Sequence, residues 1–297
     1  MTAVSREGEA ARAVFTVERL RDPDPIRAML DSERAYSAYA LAQLDPASFP
    51  DSEWVLARGP AGRQALLVHS RGGLGAALFT IGDPAALDAA LSLHPGPRFS
   101  FGTLRLEHKR TAEKYFVMTR PQIMQRMEIT ADDFRETPGE PQRLTGADVG
   151  TVNRLYSMEA GPTAYREQHL DRAVYYGVFI GDELVSIAGT HAVSAAERTA
   201  VVGNVFTHPR RRGIGLATIA TSAVTKDLLG FCDLVALTVE VQNTPAVRIY
   251  EKLGYRAVCN LHETPLIRKA PIGVMSFARR AVAGWRGRRE GKEVVVR

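Results

Sequence analysis

The 297-residue sequence predicts a mixed α/β (α+β) protein of two similar units in tandem, each a mostly antiparallel sheet flanked by helices. Three observations lead there. Short apolar runs with turn residues at their ends alternate with helical patterns. One order of elements (helix, several strands, helix, strand, helix, strand) occurs twice. The Pro/Gly-rich, charged stretch "FRETPGEPQR" at 134–143 separates the two copies. The expected division is a first unit over 1–135, a linker over 136–142, a second unit over 143–270 and a tail over 271–297.

In the first unit, Asp24-Pro25 opens a helix over "IRAMLDSERAYSAYALAQL". "EWVLAR", "QALLVHS" and "GAALFTIG" read as strands, with "RGGLG" at 71–75 as a hairpin loop. Asp83-Pro84 starts the helix "DPAALDAALSL". "RFSFGTLRL" is a strand, "EHKRTAEKYF" a helix, and "PQIMQRMEIT" the closing strand. The second unit opens with helices over "TGADVGTVNRLYSM" and "AYREQHLDRAV". "YYGVFIG" and "ELVSIAGTHAV" are strands joined at the turn Gly181-Asp182. "RTAVVGNVFTHP" is a third strand, followed by a helix from Gly213 to Leu229. Then come the strand "DLVALTVEV", the helix "TPAVRIYEKLG" and the strand "YRAVCNLHE".

Hydrophobic residues make up 45% of the chain and charged residues 24%, as in ordinary globular proteins. Cys232 and Cys259 are far apart and lack C-x-x-C spacing, so the sequence indicates neither a disulfide framework nor a metal site, and both read as core residues. "MTAVSREGEAARAVF" lacks the basic start and apolar run of a signal peptide, and no apolar run is long enough to cross a membrane. The expected compartment is the cytoplasm. Net charge is +5. Residues 271–297 hold seven basic side chains (Arg279, Arg280, Arg286, Arg288, Arg289, Lys292, Arg297) and two acidic ones (Glu290, Glu293). The tail thus carries the whole excess, and the body offers no electrostatic case for nucleic acid.

The most informative stretch is "VFTHPRRRGIGLATIA", residues 205–220. A strand end runs into Pro209, three arginines, Gly213-Ile214-Gly215 and a helix. Glycines let a ligand approach the backbone, and a helix start offers orphan N–H groups and the positive end of a dipole. Together they suit a pyrophosphate. The same pattern also serves as a plain tight turn with a solvated arginine face. It is neither a P-loop nor a dinucleotide fingerprint, since G-x-x-x-x-G-K-[ST] and the third glycine are absent.

Downstream, Asn243, Ala246, Tyr250 and Gly254-Tyr255 follow the strand "LTVEV". With Arg210, Gly213 and Gly215 as [QR]-x-x-G-x-[GA], these residues resemble the GNAT superfamily of acyl-CoA-dependent N-acyltransferases over 143–265; Tyr255 replaces the usual Phe. The resemblance implies two tandem GNAT-like domains, the first degenerate, since Gly82-Asp83-Pro84 stands where the glycine motif belongs. It implies acetyl-CoA, or another short acyl-CoA, as co-substrate, and no metal. The coenzyme would lie between strands that splay past Val205-Phe206 and near Val241. Arg210, Arg211, Arg212, Gly213, Ile214, Gly215, Leu216 and Ala217 would hold its pyrophosphate. Val205, Phe206 and Thr207 would pair with its pantetheine arm, and Asn243, Ala246 and Tyr250 would complete the site.

Acyl transfer needs a neutral amine, an oxyanion donor and an acid for the leaving thiolate. The resemblance places Tyr250 as that acid. Glu240 is the candidate base, beside Thr238 where some relatives carry a glutamate. His191 and His208 read as structural or solvated. Tyr156, Glu159 and Tyr165 are expected to line the acceptor site, Glu159 suiting a cationic amine. The expected acceptor is a primary amine of a small or amino-acid-like molecule. A non-catalytic acyl-CoA sensor and a protein N-terminal or lysine acetyltransferase are the rival readings. In the tail, Val274, Ala278, Ala281, Val282 and Trp285 form one helical stripe beside arginines. Such a helix binds a membrane or an acidic partner, or docks on its own protein. The sequence leaves the state open between monomer and homodimer.

Overall fold

The computed structural model describes residues 13–71, 75–159, 165–270, 274–286 and 292–296. The chain runs through β1 (Ala13–Leu20), α1 (Pro23–Asp31), α2 (Arg34–Leu41), β2 (Ser52–Arg58), β3 (Gln64–Ser70), β4 (Ala77–Gly82), α3 (Pro84–Leu93) and β5 (Phe99–Arg105). It continues through α4 (Lys109–Tyr115), β6 (Phe116–Met118), β7 (Gln122–Ile129), β8 (Gln142–Arg143), α5 (Val149–Tyr156), α6 (Glu167–Asp171), β9 (Tyr176–Ile180) and β10 (Glu183–Ser194). The remainder is β11 (Thr199–Thr207), α7 (Leu216–Leu229), β12 (Leu234–Glu240), α8 (Thr244–Leu253), β13 (Arg256–Arg268), α9 (Val274–Arg286) and β14 (Lys292–Val296).

These elements form two compact units. Unit 1 combines the described residues of 1–29, 50–122 and 262–297; unit 2 combines 30–49 and 123–261. In unit 1, β1 to β4 pair antiparallel in sequence order, and α3 crosses over to the parallel strand β5. The end of β13 pairs with β6, and β14 pairs with β1. Ala86, Leu87, Ala90 and Leu91 of α3 are buried against Phe15, Val55 and Leu67. Asp83 caps α3, accepting the N–H groups of Ala85 and Ala86 at 2.9 Å and an ion pair from Arg63 at 3.1 Å. A carboxylate therefore already fills the helix terminus where a phosphate would sit.

Unit 2 repeats the plan. β8 to β11 pair antiparallel, α7 crosses over to the parallel strand β12, and β7 pairs antiparallel with β12. β12 is an apolar run because both its faces are covered. Val235, Leu237 and Val239 pack with Ala220, Val224 and Leu228 of α7, residues spaced by four on one helix face. Burying each such Val or Leu contributes roughly 1.5–3 kcal/mol. On the opposite face, Leu234, Ala236 and Val201 pack against Ala35 and Ala38 of α2.

The compact units run across the expected linker: unit 2 takes in residues 30–49 and 123–135, because β7 pairs with β12 and α2 covers β11 and β12. Two expectations need correction. The long first helix is two, α1 and α2, broken at 32–33. Strands β1, β6, β8 and β14 join those the sequence suggested. Cys232 is buried, whereas Cys259 is half-buried. The hairpin at Gly181-Asp182 is present, with Glu183 opposite Ile180. Residues 72–74 of the "RGGLG" loop and 160–164 of the lip after α5 lie outside the described residues, as does the side chain of Trp285.

Candidate acyl-coenzyme site

The parallel pairing of β11 with β12 runs from Thr199↔Leu234 to Val202↔Leu237 and stops. Both strands go on, to Thr207 and Glu240. Beyond Val202 the β11 edge facing β12 is unpaired, while its other edge stays paired with β10 through Ile187↔Phe206 and Ser186↔Thr207. The two strands open into a V.

Asn204 marks the opening. Its φ of +53° lies in the left-handed region, which Asn tolerates better than most residues. The conformation is held from several sides. Tyr156 donates its hydroxyl hydrogen to the Asn204 carbonyl. The Asn204 amide nitrogen donates to the Tyr175 hydroxyl at 2.8 Å and lies 3.4 Å from the Thr190 carbonyl. The Asn204 amide oxygen meets His191 Nε2 at 3.0 Å. A strained residue over-determined by its surroundings is characteristic of functional sites.

The glycine turn stands beside the opening. Gly213 and Gly215 have φ of +83° and +87°, and a Cβ on either would meet nothing within 4 Å. They are glycines for backbone conformation, and the space before them is open. Among the described residues, no N–H from Arg212 to Ala217 donates to a backbone carbonyl; the first to do so are Thr218 and Ile219, both to Gly215. These orphan donors, α7's positive end and the exposed Arg210 and Arg211 suit a pyrophosphate. Ile214 is exposed, and Leu216 and Ala217 are half-buried. Arg212 is engaged: it pairs with Glu159 at 2.7 Å, donates to the Thr207 carbonyl at 3.2 Å and lies over the Phe206 ring. His208 accepts the Arg210 N–H at 3.1 Å and so shapes the turn.

Tyr250 on α8 is buried with Val202 and Val239, and its ring meets Tyr255 edge-on at 6.0 Å. Burial pushes its hydroxyl up to about 12. Asn243 caps α8, accepting the Ala246 N–H at 3.3 Å, and Ala246 is half-buried against the same core. Gly254 ends α8 at φ +104°, where a Cβ would stand 2.0 Å from the Asp133 carbonyl oxygen. That motif glycine is required by both backbone conformation and space. Val205 packs on the α7 side and Phe206 on the side of Tyr156.

The residues expected around the acceptor are dispersed. Tyr156 and Tyr165 are buried and stacked at 5.3 Å, beneath the opening rather than lining it, and burial holds both hydroxyls above the usual phenol range. Glu159 is exposed and paired with Arg212. Glu240 is half-buried at the end of β12, opposite Met124 of β7.

His191, which the sequence reads as structural or solvated, stands at the opening. A Cβ on Gly203 would fall 2.4 Å from its ring, so the imidazole lies over β11 one residue past the last β12 pair. Val202 faces the Tyr250 cluster, and Gly203 faces the other way by strand alternation. His191 and Tyr250 thus flank the opening on opposite faces. Solvent reaches part of His191, while protein crowds the rest. That desolvation, opposed by the Asn204 hydrogen bond and joined by the charge of Arg126, holds its imidazole below the ordinary value. Arg126 is fully buried on β7, opposite Thr238. Tyr39 of α2 approaches His191 at 6.3 Å between ring centroids. The available signal was Gly203-Asn204, a glycine within a strand, which suggests a bulge.

Comparison with known proteins agrees with this geometry. Residues 148–255 match the family model described as "Acetyltransferase (GNAT) family". No curated protein matches. A solved GNAT-family acetyltransferase from Novosphingobium aromaticivorans is similar, with 21% identity over 78% of this chain and 96% of its own, at a TM-score of 0.53. A Drosophila protein is 13% identical over 86% of this chain and 98% of its own, at 0.61. A GCN5-related N-acetyltransferase from Kribbella flavida is 16% identical over 80% and 95%, at 0.54. At these identities the structures share the fold. The family model alone marks residues 148–255, with the V-shaped opening and its glycine turn, as a domain of the GNAT acetyltransferase family.

Proposed function

We propose that this chain is an N-acyltransferase that moves an acetyl group, or another short acyl group, from its coenzyme A thioester to a primary amine of a small or amino-acid-like molecule. The observation that carries the reading is the loss of β11–β12 pairing beyond Val202↔Leu237 beside a turn whose N–H groups have no backbone acceptor. An acyl-CoA supplies an activated acyl carbon and a thiolate leaving group. The N–H groups of 212–217, with Arg210 and Arg211, would hold its pyrophosphate, and the free β11 edge would pair with its amide arm.

His191 fits the base better than Glu240. The Asn204 oxygen only accepts, so Nε2 carries the hydrogen and Nδ1 keeps its lone pair. A neutral imidazole at the mouth of the opening takes the amine proton as the N–C bond forms. Tyr250, across the sheet, donates a hydrogen bond to the departing sulfur. Its raised pKa keeps it a neutral donor throughout the working range. The C–S bond breaks as the N–C bond forms, the thiolate leaves and takes a proton from water, and His191 returns the amine proton to water.

The test is calorimetric titration with acetyl-CoA, followed by an amine panel read by released thiol. One site per chain and turnover with a primary amine support the reading. Absence of binding overturns the coenzyme site, and binding without any amine-dependent thiol release favours a sensor.

A further inference from the structure

We propose that α9 is a docking helix for an anionic lipid surface. An ordinary amphipathic surface helix turns its apolar stripe onto the core. α9 does the opposite. Val274, Met275, Phe277 and Val282 are 62%, 62%, 68% and 51% exposed. At 100° per residue they share one side of the helix with the exposed Ala278 and Ala281. The helix packs beside α3 in unit 1. Arg279 is exposed as well and falls at the margin of the apolar stripe, next to Met275.

An outward apolar stripe of this kind marks an interaction surface, and the charge distribution selects the partner. Residues 271–297 carry seven basic and two acidic side chains, while the rest of the chain sums to zero. Apolar side chains inserted at the acyl boundary with basic groups at headgroup level are what an anionic bilayer recognises. An acidic protein or a nucleic acid would use the charge and leave the stripe in water. A second copy of this chain would bring a second positive tail against the first.

The experiment uses the full chain and vesicles of phosphatidylcholine alone or mixed with phosphatidylglycerol. The expected result is co-sedimentation with the mixed vesicles, weakened by salt and at least about tenfold weaker for neutral vesicles or for the variant Val274→Ser/Phe277→Ser/Val282→Ser. The stripe is exposed, so this variant should keep its fold and its acetyl-CoA binding, which circular dichroism and calorimetry check. Equal binding to both vesicle types overturns the proposal, as does absence of binding. Undiminished binding by the variant reduces the tail to a polycation and overturns it too. A wild-type dimer that the variant converts to monomer, without vesicle binding, assigns the stripe to self-association instead.

Discussion

His191 Nε2 and Asn204 Oδ1 lie 3.0 Å apart across neighbouring strands, and that contact fixes which imidazole nitrogen is free. The amide orientation is set independently by the Thr190 carbonyl, which only accepts and lies 3.4 Å from the Asn204 amide nitrogen. His191→Gln is expected to lower turnover by roughly 10²–10⁴-fold, the usual worth of a general base, with acetyl-CoA affinity unchanged. Because the imidazole is held below its ordinary value, it is neutral at pH 7 and protonates only as pH falls further. Activity should therefore have an acid limb below the ordinary histidine value of 6.5, and the variant should lack it. A pH–rate profile with calorimetry decides this; an acid limb that survives in the variant excludes His191.

Tyr250→Phe removes a hydrogen-bond donor from a buried site without changing its shape. Turnover should fall while the folded state holds, with stability changed by no more than about 1.5 kcal/mol. Since burial pushes the hydroxyl up to about 12, the wild type should show no loss of rate attributable to this group up to pH 10. Steady-state kinetics and thermal unfolding of both proteins check this together.

Glu159→Gln releases Arg212 from an exposed ion pair of 2.7 Å. Such pairs contribute about 0.2–1 kcal/mol, so Tm should barely move. The freed guanidinium should strengthen acetyl-CoA binding by up to about fivefold, the same energy expressed as affinity. Calorimetry at low and high salt reads it; weaker binding in the variant would show that Glu159 positions Arg212 rather than competing for it.

Gly254→Ala and Gly213→Ala separate packing from conformation. At Gly254 the new Cβ meets the Asp133 carbonyl at 2.0 Å as well as a φ of +104°. At Gly213 only the φ of +83° is unfavourable, at about 1–2 kcal/mol. Thermal denaturation should show Gly254→Ala as clearly the more destabilised. Acetyl-CoA affinity should suffer more in Gly213→Ala, because the altered turn moves the N–H donors.

The coenzyme side was readable from the chain because its signals are local. Positive φ at Gly213 and Gly215, the Asn243 cap and the Gly254 terminus are each settled within a few residues. The acceptor side depends on contacts between distant segments. His191 matters through Asn204 on the next strand, Arg126 on β7 and Tyr39 on α2. A lone histidine in an apolar strand carries none of that information. The break between α1 and α2 falls at Ser32-Glu33, a pair with no strong helix-stopping chemistry. The partner of "PQIMQRMEIT" could not be read either, since its pattern suits either sheet.

The exchange of strands sets how the gene can be cut. Residues 143–270 expressed by themselves would lack β7, which pairs along β12 from Ile129↔Val235 to Met124↔Glu240, and α2, which covers Val201 and Ala236. Residues 1–135 would lack the end of β13, which supplies Leu266 to their core. A split at the linker therefore leaves two fragments, each with an open sheet edge and an uncovered apolar face. Co-expressed fragments should recover structure only by finding each other.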